Sequence, residues 1–203
     1  MIYSIYLNII VKVFVLGTYI LTGTIGSGKS EAQKIFEKFN YDCFCADKIV
    51  RDLYKNNEVI LGVQNILPKS VINNMIDIQF LREKIFSDKK IMQDIEDYIQ
   101  PKVFKEFQKK IKLNKNRNII LVLPTIKNNL FHQKYKFIYI SASKENRIKR
   151  IRTRKNYNIN LIKEIIRYQD NIDAYRKSNN FFLDNNGTIE NLEHSIKKIV
   201  KLL

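Results

Sequence analysis

The chain has 203 residues, which is enough for one domain with its own core and for small insertions, but not for several domains. Its two cysteines, Cys43 and Cys45, are too few for a disulfide framework and lack the partners that a zinc site needs. We therefore expect reduced thiols and a cytoplasmic protein. The formal net charge of +16 fits either a solvated, lysine-rich surface or a polyanionic partner such as nucleic acid. Because the lysines are scattered along most predicted helices, we favour the surface and expect no nucleic-acid partner.

The first 17 residues are apolar apart from Lys12, and such a run could form a signal sequence or a membrane anchor. A membrane span needs about 20 apolar residues, which this run reaches only by including Tyr19–Leu21. Those residues are needed for a strand, and no small-residue cleavage site precedes them. We therefore expect an N-terminal apolar extension over residues 1–17, no membrane segment, and a single domain over 18–203.

The strand predicted at Tyr19–Thr22 leads into a phosphate-binding motif. The next eight residues fit the P-loop pattern G-x-x-x-x-G-K-[ST] without a mismatch: Gly23, Thr24, Ile25, Gly26, Ser27, Gly28, Lys29 and Ser30. In such a loop the backbone N–H groups and the positive end of the following helix hold an anionic phosphate chain. Lys29 would reach the outer phosphates, and the Ser30 hydroxyl would hold Mg²⁺. Apolar residues then recur at helical spacing from Ala32. The motif predicts binding of a nucleoside triphosphate.

A second strand is predicted at Asp42–Cys45, and a helix begins close after it. Asp47 therefore lies at the carboxyl end of a strand, the edge of a parallel sheet that faces the ligand crevice. Two roles fit this position equally. Asp47 is either a general base or metal-linked carboxylate, or the N-cap of the following helix.

Residues 58–113 show helical periodicity and no convincing strand, and Pro101 is expected to break or start a helix there. We interpret this segment as a helical insert that binds the acceptor of a transferred group. Arg82 and Lys84 are its candidate anion contacts.

Two further strands are predicted at Ile119–Leu123 and Phe137–Ile140, the first ended by Pro124. The following segment, residues 147–155, holds six basic residues in nine. It fits a nucleic-acid patch or a lid over residues 144–158 whose arginines close over a transferring phosphoryl group. Because Arg150 and Arg154 share one helix face, we favour the lid.

A helix from about Asn160, a strand at Phe181–Asp184 and a closing helix complete the chain. Strands and helices therefore alternate, apart from the helical insert. This order predicts an α/β fold of three layers, α/β/α, around a five-stranded parallel sheet.

The ordered set of motifs resembles the dephospho-coenzyme A kinase family over roughly residues 18–203. The family's opening, LTGGIGSGKS, differs from Leu21–Ser30 only at Thr24. Its DAD-x-I-x-R segment resembles Cys45–Arg51, and its LR-x-x-[VI]-F segment resembles Leu81–Phe86. The Q-x-x-R-x-x-x-R lid appears as Arg147, Arg150 and Arg154. Gln169 and the turn Asn185-Asn186-Gly187 follow at family spacing.

The resemblance implies transfer of the γ-phosphoryl group of ATP to the 3′-hydroxyl of the ribose of dephospho-coenzyme A, assisted by Mg²⁺. It implies that Asp47 is the base, and that Lys29, Arg150 and Arg154 neutralise phosphoryl charge. It places Asn186 and Gly187 near the adenine of ATP. Acceptor contacts are implied at four positions: Asp47, Arg51, Arg82 and Gln100. We expect a monomer or weak homo-oligomer.

The departures from the family pattern lie mostly on the acceptor side. Cys45 replaces the first Asp of DAD, Gln100 replaces a His, and Pro124–Asn128 loses the acid and the apolar pair of PLLFE. ATP binding is thus better supported than the acceptor. The alternatives are another P-loop kinase of a nucleotide or small molecule, and a non-catalytic module that binds nucleotide or nucleic acid. A GTPase is disfavoured because the chain has no NKxD motif.

Overall fold

The computed structural model describes residues 17–124, 135–153, 159–172 and 181–203. The predictions for residues 1–16, for Thr125–Asn128 and for Arg154 fall outside the described residues. In chain order the described elements are β1 (Thr18–Thr22), α1 (Lys29–Lys38), β2 (Asp42–Cys45), α2 (Ala46–Leu53), α3 (Asn57–Ile66), a 3₁₀ turn (Pro68–Ser70), β3 (Val71–Ile72), β4 (Met75–Ile76), α4 (Ile78–Ser87), α5 (Lys89–Leu113), β5 (Ile119–Val122), β6 (Lys136–Ser141), α6 (Lys144–Arg152), α7 (Ile159–Ile172), β7 (Phe181–Asp184) and α8 (Ile189–Val200).

Five of these strands form one sheet in the order β2-β5-β1-β6-β7, and every neighbouring pair is parallel. The predicted parallel sheet is therefore confirmed, and each predicted strand lies within two residues of an observed one. β1 is central, whereas the chain runs from β1 to β2 at the sheet edge and only later inserts β5 between them. Such a reversal of strand order opens a crevice at the carboxyl ends of the strands.

Both faces of the sheet are covered by helices. Side chains alternate along β1, so that Tyr19 and Leu21 pack in the core with α1 and α8, whereas Ile20 packs with α2, α3 and α5. All four residues of β5 are buried, as expected for a parallel strand covered on both sides. The three-layer α/β/α architecture is confirmed.

The insert differs from the prediction in containing strands. β3 and β4 pair antiparallel, with Val71 opposite Ile76 and Ile72 opposite Met75. Asn73 and Asn74 connect them with φ of 51° and 57°. Two consecutive left-handed residues form the tight hairpin turn that matches strand twist, and asparagine tolerates this conformation. The expectation of a strand-free segment was wrong because two-residue strands are too short to show alternation.

The expected helix boundary at Pro101 was also wrong, because α5 runs through it for 25 residues. Proline removes one backbone hydrogen bond and normally kinks or breaks a helix. Pro101 is exposed, so water can satisfy the carbonyl group that loses its partner. Buried Ile99 and Val103 hold the helix against the core on both sides of the proline.

No helix in the described ranges combines the length and apolar character needed to cross a bilayer.

Candidate active site

The P-loop connects the carboxyl end of β1 to the first turn of α1. Gly28 is the residue before α1 and has a φ of 105°, and Gly26 has a φ of 79°. Both values are left-handed and strained for any residue with a Cβ atom. A Cβ on Gly26 would also lie 2.8 Å from the carbonyl oxygen of Arg147. The loop is therefore folded tightly against α6, and only glycine fits these two positions.

Lys29 begins α1 and turns back over the loop. Its Nζ donates hydrogen bonds to the carbonyl oxygens of Gly23 at 2.6 Å and Thr24 at 3.1 Å. The Lys29 ammonium group thus lies against the first two residues of the P-loop. Ser30 follows in the first turn of α1 and is exposed. The phosphate-binding role of Lys29 and the metal-binding role of Ser30 stay predictions.

Two side chains from outside the loop bind its backbone. Gln169 of α7 accepts a hydrogen bond from the Ile25 N–H at 2.6 Å. Asn185, which follows β7, donates from Nδ2 to the Ser27 carbonyl oxygen at 2.8 Å. The loop backbone is therefore held by a side chain of α7 and by the residue that follows β7.

Arg150 of α6 contacts backbone carbonyl groups in the same region. Its guanidinium donates to the Asn185 carbonyl oxygen at 2.8 Å and lies 3.5 Å from the carbonyl oxygens of Gly26 and Ser27. Arg150 is thus brought to the P-loop, as predicted. The described contacts tie it to backbone oxygens. Arg154, its predicted partner, lies outside the described residues.

The turn after β7 joins α6 to α8. The Asn186 Oδ1 accepts hydrogen bonds from the Ser143 N–H at 2.7 Å and from the Asn146 side chain at 3.1 Å. Gly187 follows and is exposed. Asn185, at the start of this turn, is bonded to Arg150 of α6 and to the Ser27 carbonyl group. The turn therefore lies next to α6 and to the P-loop. This location suits the nucleoside end of a bound nucleotide.

Asp47 lies on the opposite side of the P-loop, in the first turn of α2, and is exposed. The N-cap of α2 is Cys45, so the alternative of Asp47 as N-cap was wrong. Cys45 and Leu21 are both paired with Val122, so they are level in the sheet. Asp47 and Gly23 each follow that level by two residues. One strand separates β2 from β1, so the two positions start about 10 Å apart at the same edge.

A cavity of about 620 Å³ opens beside α2, and its lining includes Lys48, the residue after Asp47. One side of it is basic and carries Lys48, Arg51 and Lys55, with Asp52 bound to Lys55 at 2.8 Å. The opposite side is largely apolar and belongs to α3, the β3–β4 hairpin and α4. The remaining lining residues are Tyr54, Asn57, Ile60, Asn74, Met75, Ile76 and Ile78.

Among the described lining residues, Arg51 is the one predicted acceptor contact of the four. Arg82 is exposed on α4 and close enough to Tyr54 for its charge to oppose the effect of burial, which raises the pKa of that phenol to about 12. Gln100 is exposed on α5 and is not among the described residues that line the cavity. Asp47 and Arg82 are not among those lining residues either, so the acceptor roles of Asp47, Arg82 and Gln100 stay predictions.

The residues at the P-loop fit a nucleoside triphosphate with Mg²⁺. A Cβ at Gly23, Gly26 or Gly28 would clash with neighbouring protein atoms, so the loop holds its tight conformation only with glycine at these positions. The Ser30 hydroxyl is an oxygen donor, the ligand type that Mg²⁺ prefers. The Ser27 Oγ is fully buried and has no hydrogen-bond partner among the described residues.

Sequence reasoning missed the role of Asn185 and gave Gln169 no function. Both act on P-loop backbone that is more than 140 residues away along the chain. The spacing shared with the family was the only indication of either, and it gave no contact. Three-dimensional proximity of β7, α6 and α7 to the loop was needed to assign them.

Comparison with known proteins agrees with this geometry. The family model for dephospho-CoA kinase matches residues 18–191. A dephospho-CoA kinase of Buchnera aphidicola is 30% identical over 85% of this chain and 84% of its own length. Among solved structures, TT1252 from Thermus thermophilus has a TM-score of 0.77 at 22% identity and covers 93% of this chain and 98% of its own. A dephospho-CoA kinase from Campylobacter jejuni has a TM-score of 0.65 at 21% identity, with 91% and 95% covered. At these identities the two structures show a shared fold.

Proposed function

The chain belongs to the dephospho-CoA kinase family of phosphotransferases, which catalyse the last step of coenzyme A synthesis, and from this premise we propose how its own residues carry out the transfer. The P-loop binds ATP, and the cavity beside α2 binds dephospho-CoA with its ribose towards Asp47. One observation carries this assignment: Asp47 and the P-loop follow the carboxyl ends of β2 and β1, which have only β5 between them.

Asp47 accepts the proton of the 3′-hydroxyl group. As that proton leaves, the hydroxyl oxygen forms a bond to the γ-phosphorus, and the bond from phosphorus to the bridging oxygen breaks to release ADP. Exposure keeps the Asp47 carboxylate accessible to an acceptor that enters from the cavity. The base therefore approaches from α2, opposite the side from which Arg150 reaches the loop.

Lys29 neutralises charge on the outer phosphates, and its two bonds to loop carbonyl groups hold it in position before transfer. Arg150 and Arg154 contribute further positive charge from the lid. Ser30 would hold Mg²⁺, which would supply further positive charge against the outer phosphates. Asn186 and Gly187 contact the nucleoside end of ATP.

The cavity suits the acceptor because it is basic on one side and apolar on the other. Lys48 and Arg51 are spaced at i and i+3 on α2, Lys55 lies two residues beyond its last residue, and all three line the cavity. This basic side of the cavity binds the pyrophosphate of dephospho-CoA, with Arg82 as a further contact. The apolar side, including Met75 and Ile78, holds the pantetheine arm. Gln100 of α5 stays a further proposed acceptor contact, on the family pattern.

We further place the reaction in the reducing cytoplasm, in a monomer or weak homo-oligomer. Burial and the charges of Glu37 and Asp42 raise the pKa of the Cys43 thiol to about 12. The thiol therefore stays protonated and unreactive at neutral pH. Cys43 and Cys45 are both free.

The proposal is tested by coupled measurement of ADP release from purified protein with Mg²⁺ and ATP, with and without dephospho-CoA. We expect acceptor-dependent release, with coenzyme A identified by its mass. A Lys29→Ala protein purified in parallel controls for contaminating host kinase and should show no such release. Folded wild-type protein that binds ATP but releases no ADP in response to dephospho-CoA would overturn the acceptor assignment.

A further inference from the structure

We infer that Asn185 is a positioning residue for nucleotide binding, which holds one peptide of the P-loop and the guanidinium of Arg150 in a fixed relation. The inference rests on the proposed function only in requiring that the P-loop bind ATP. It is independent of the acceptor. Asn185 directly precedes the turn Asn186-Gly187, to which the nucleoside end of ATP is assigned.

Asn185 is 6% exposed and uses its backbone and its side chain to join three parts of the molecule. Its N–H donates to the Ser141 carbonyl oxygen at the end of β6, at 2.8 Å. Its Nδ2 donates to the Ser27 carbonyl oxygen at 2.8 Å. Its own carbonyl oxygen accepts from Arg150 at 2.8 Å, and its Oδ1 lies 3.5 Å from the same guanidinium nitrogen. One buried residue thus connects the sheet and α6, mainly through its backbone, with the P-loop, through its side chain.

The bond to Ser27 controls the direction of the next N–H group. A peptide unit is planar, and in its trans form the N–H of Gly28 points opposite to the C=O of Ser27. Because Asn185 holds that carbonyl from outside the loop, the Gly28 N–H is aimed to the inside, where a P-loop binds phosphate. Asn185 therefore acts on the phosphates through Gly28 without contacting them.

An amide is suited to this position because it carries both a donor and an acceptor. The donor faces the Ser27 carbonyl group and the acceptor faces Arg150. A carboxylate would keep the attraction to Arg150 but would set an acceptor against the Ser27 oxygen. The Asn185 side chain also packs closely on the loop, since a Cβ on Gly28 would lie 2.0 Å from the Asn185 Nδ2. The identity of residue 185 is thus tied to the geometry of the loop.

The test compares Asn185→Asp with a matched control, Asn114→Asp. Asn114 also donates from Nδ2 to a backbone carbonyl oxygen at 2.8 Å, but at the end of α5, far from the loop in the chain. Affinity for ATP is measured by calorimetry without acceptor, together with the midpoint of thermal unfolding and the KM for dephospho-CoA. We expect Asn185→Asp to weaken ATP binding about tenfold, with the KM for dephospho-CoA unchanged, and Asn114→Asp to change neither.

An unchanged ATP affinity in folded Asn185→Asp protein would overturn the inference. If that variant does not fold, Asn185→Ala replaces it, because water can then satisfy the Ser27 carbonyl group, and a weakening of about fivefold is expected. An Asn185→Ala protein with wild-type affinity would overturn the inference as well. Wild-type protein that binds ATP but does not phosphorylate dephospho-CoA would refute the proposed function and leave this test intact.

Discussion

Gln169 accepts a hydrogen bond from the Ile25 N–H, with 2.6 Å between nitrogen and oxygen. Gln169 belongs to α7, which follows the basic segment, whereas Ile25 is the third residue of the P-loop. This bond joins α7, which follows the segment predicted as a lid, directly to the P-loop backbone.

Replacing Gln169 with Leu keeps the size of the side chain but removes the acceptor. The Ile25 N–H then loses its partner, and the loop becomes less well ordered before ATP arrives. We expect the kcat/KM for ATP to fall about fivefold, the effect of one lost hydrogen bond to a partly buried amide. Gln93→Leu is the control, because Gln93 is exposed on α5 and bonds only Asp97 in the described contacts. Equal kcat/KM values in the two variants would show that the Gln169 bond is dispensable.

Lys29→Ala should weaken both ATP binding and turnover. The ammonium group is held by the Gly23 and Thr24 carbonyl oxygens, so the variant loses a positioned charge at the phosphates. We expect a loss of at least about tenfold in ATP affinity and a larger one in kcat, because charge accumulates on the phosphoryl oxygens during transfer. Lys34→Ala, on the same helix and bound only to Glu31 in the described contacts, should leave both unchanged. A Lys29→Ala enzyme with normal kcat would remove Lys29 from the mechanism.

Much of the nucleotide side could be predicted from sequence because its determinants are local. The P-loop pattern, the strand before it and the apolar face of α1 all lie within residues 18–38, and the pattern specifies glycine for backbone geometry. The strands were predictable for the same reason. β5 is a continuous apolar run, and that composition alone indicates a strand covered on both faces.

The remainder depended on contacts between distant segments or on signals that were too short. The β3–β4 hairpin has two residues per strand, and only the pair Asn73-Asn74 indicated its turn. Pro101 was misinterpreted because a buried helix face can carry a helix through an exposed proline. Gln100 was assigned from the family pattern alone, and its role as an acceptor contact stays a prediction.

Alkaline pH should destabilise the protein through buried phenols. Burial, with a contribution from Tyr19, raises the pKa of Tyr41 from 10.0 to about 12. Between these values the unfolded chain releases the proton and the native state keeps it, so the stability present below pH 10 is lost as pH rises towards 12. Tyr41→Phe cannot ionise. We expect its free energy of unfolding, from urea titrations at pH 8 and 11, to fall less than that of wild type. Parallel losses in the two proteins would contradict this assignment.

The hairpin side of the cavity should affect the acceptor and not ATP. Met75 lines the cavity and is 66% exposed, so it can gain contacts with the pantetheine arm. In the complex the pantetheine arm would bury the Met75 side chain, and Met75→Asp removes that apolar contact. We therefore expect the KM for dephospho-CoA to rise about tenfold, with the KM for ATP unchanged. AMP, an acceptor without the arm, should be used equally well by the variant and wild type. Leu113→Asp, an exposed apolar position at the end of α5, is the control. If Leu113→Asp had the same effect, the hairpin would have no specific role.

Asp47→Asn tests the proposed base directly. The amide has nearly the same shape as the carboxylate but cannot accept the hydroxyl proton. ATP affinity should persist because the P-loop contacts are intact, whereas kcat should fall on the order of 100-fold or more. Single-turnover phosphoryl transfer separates this loss from slow product release. Asp94→Asn on α5, also exposed, is the matched control and should transfer at the wild-type rate. A normal transfer rate in Asp47→Asn would show that the hydroxyl proton leaves by another route. Asp47 would then serve acceptor binding at most.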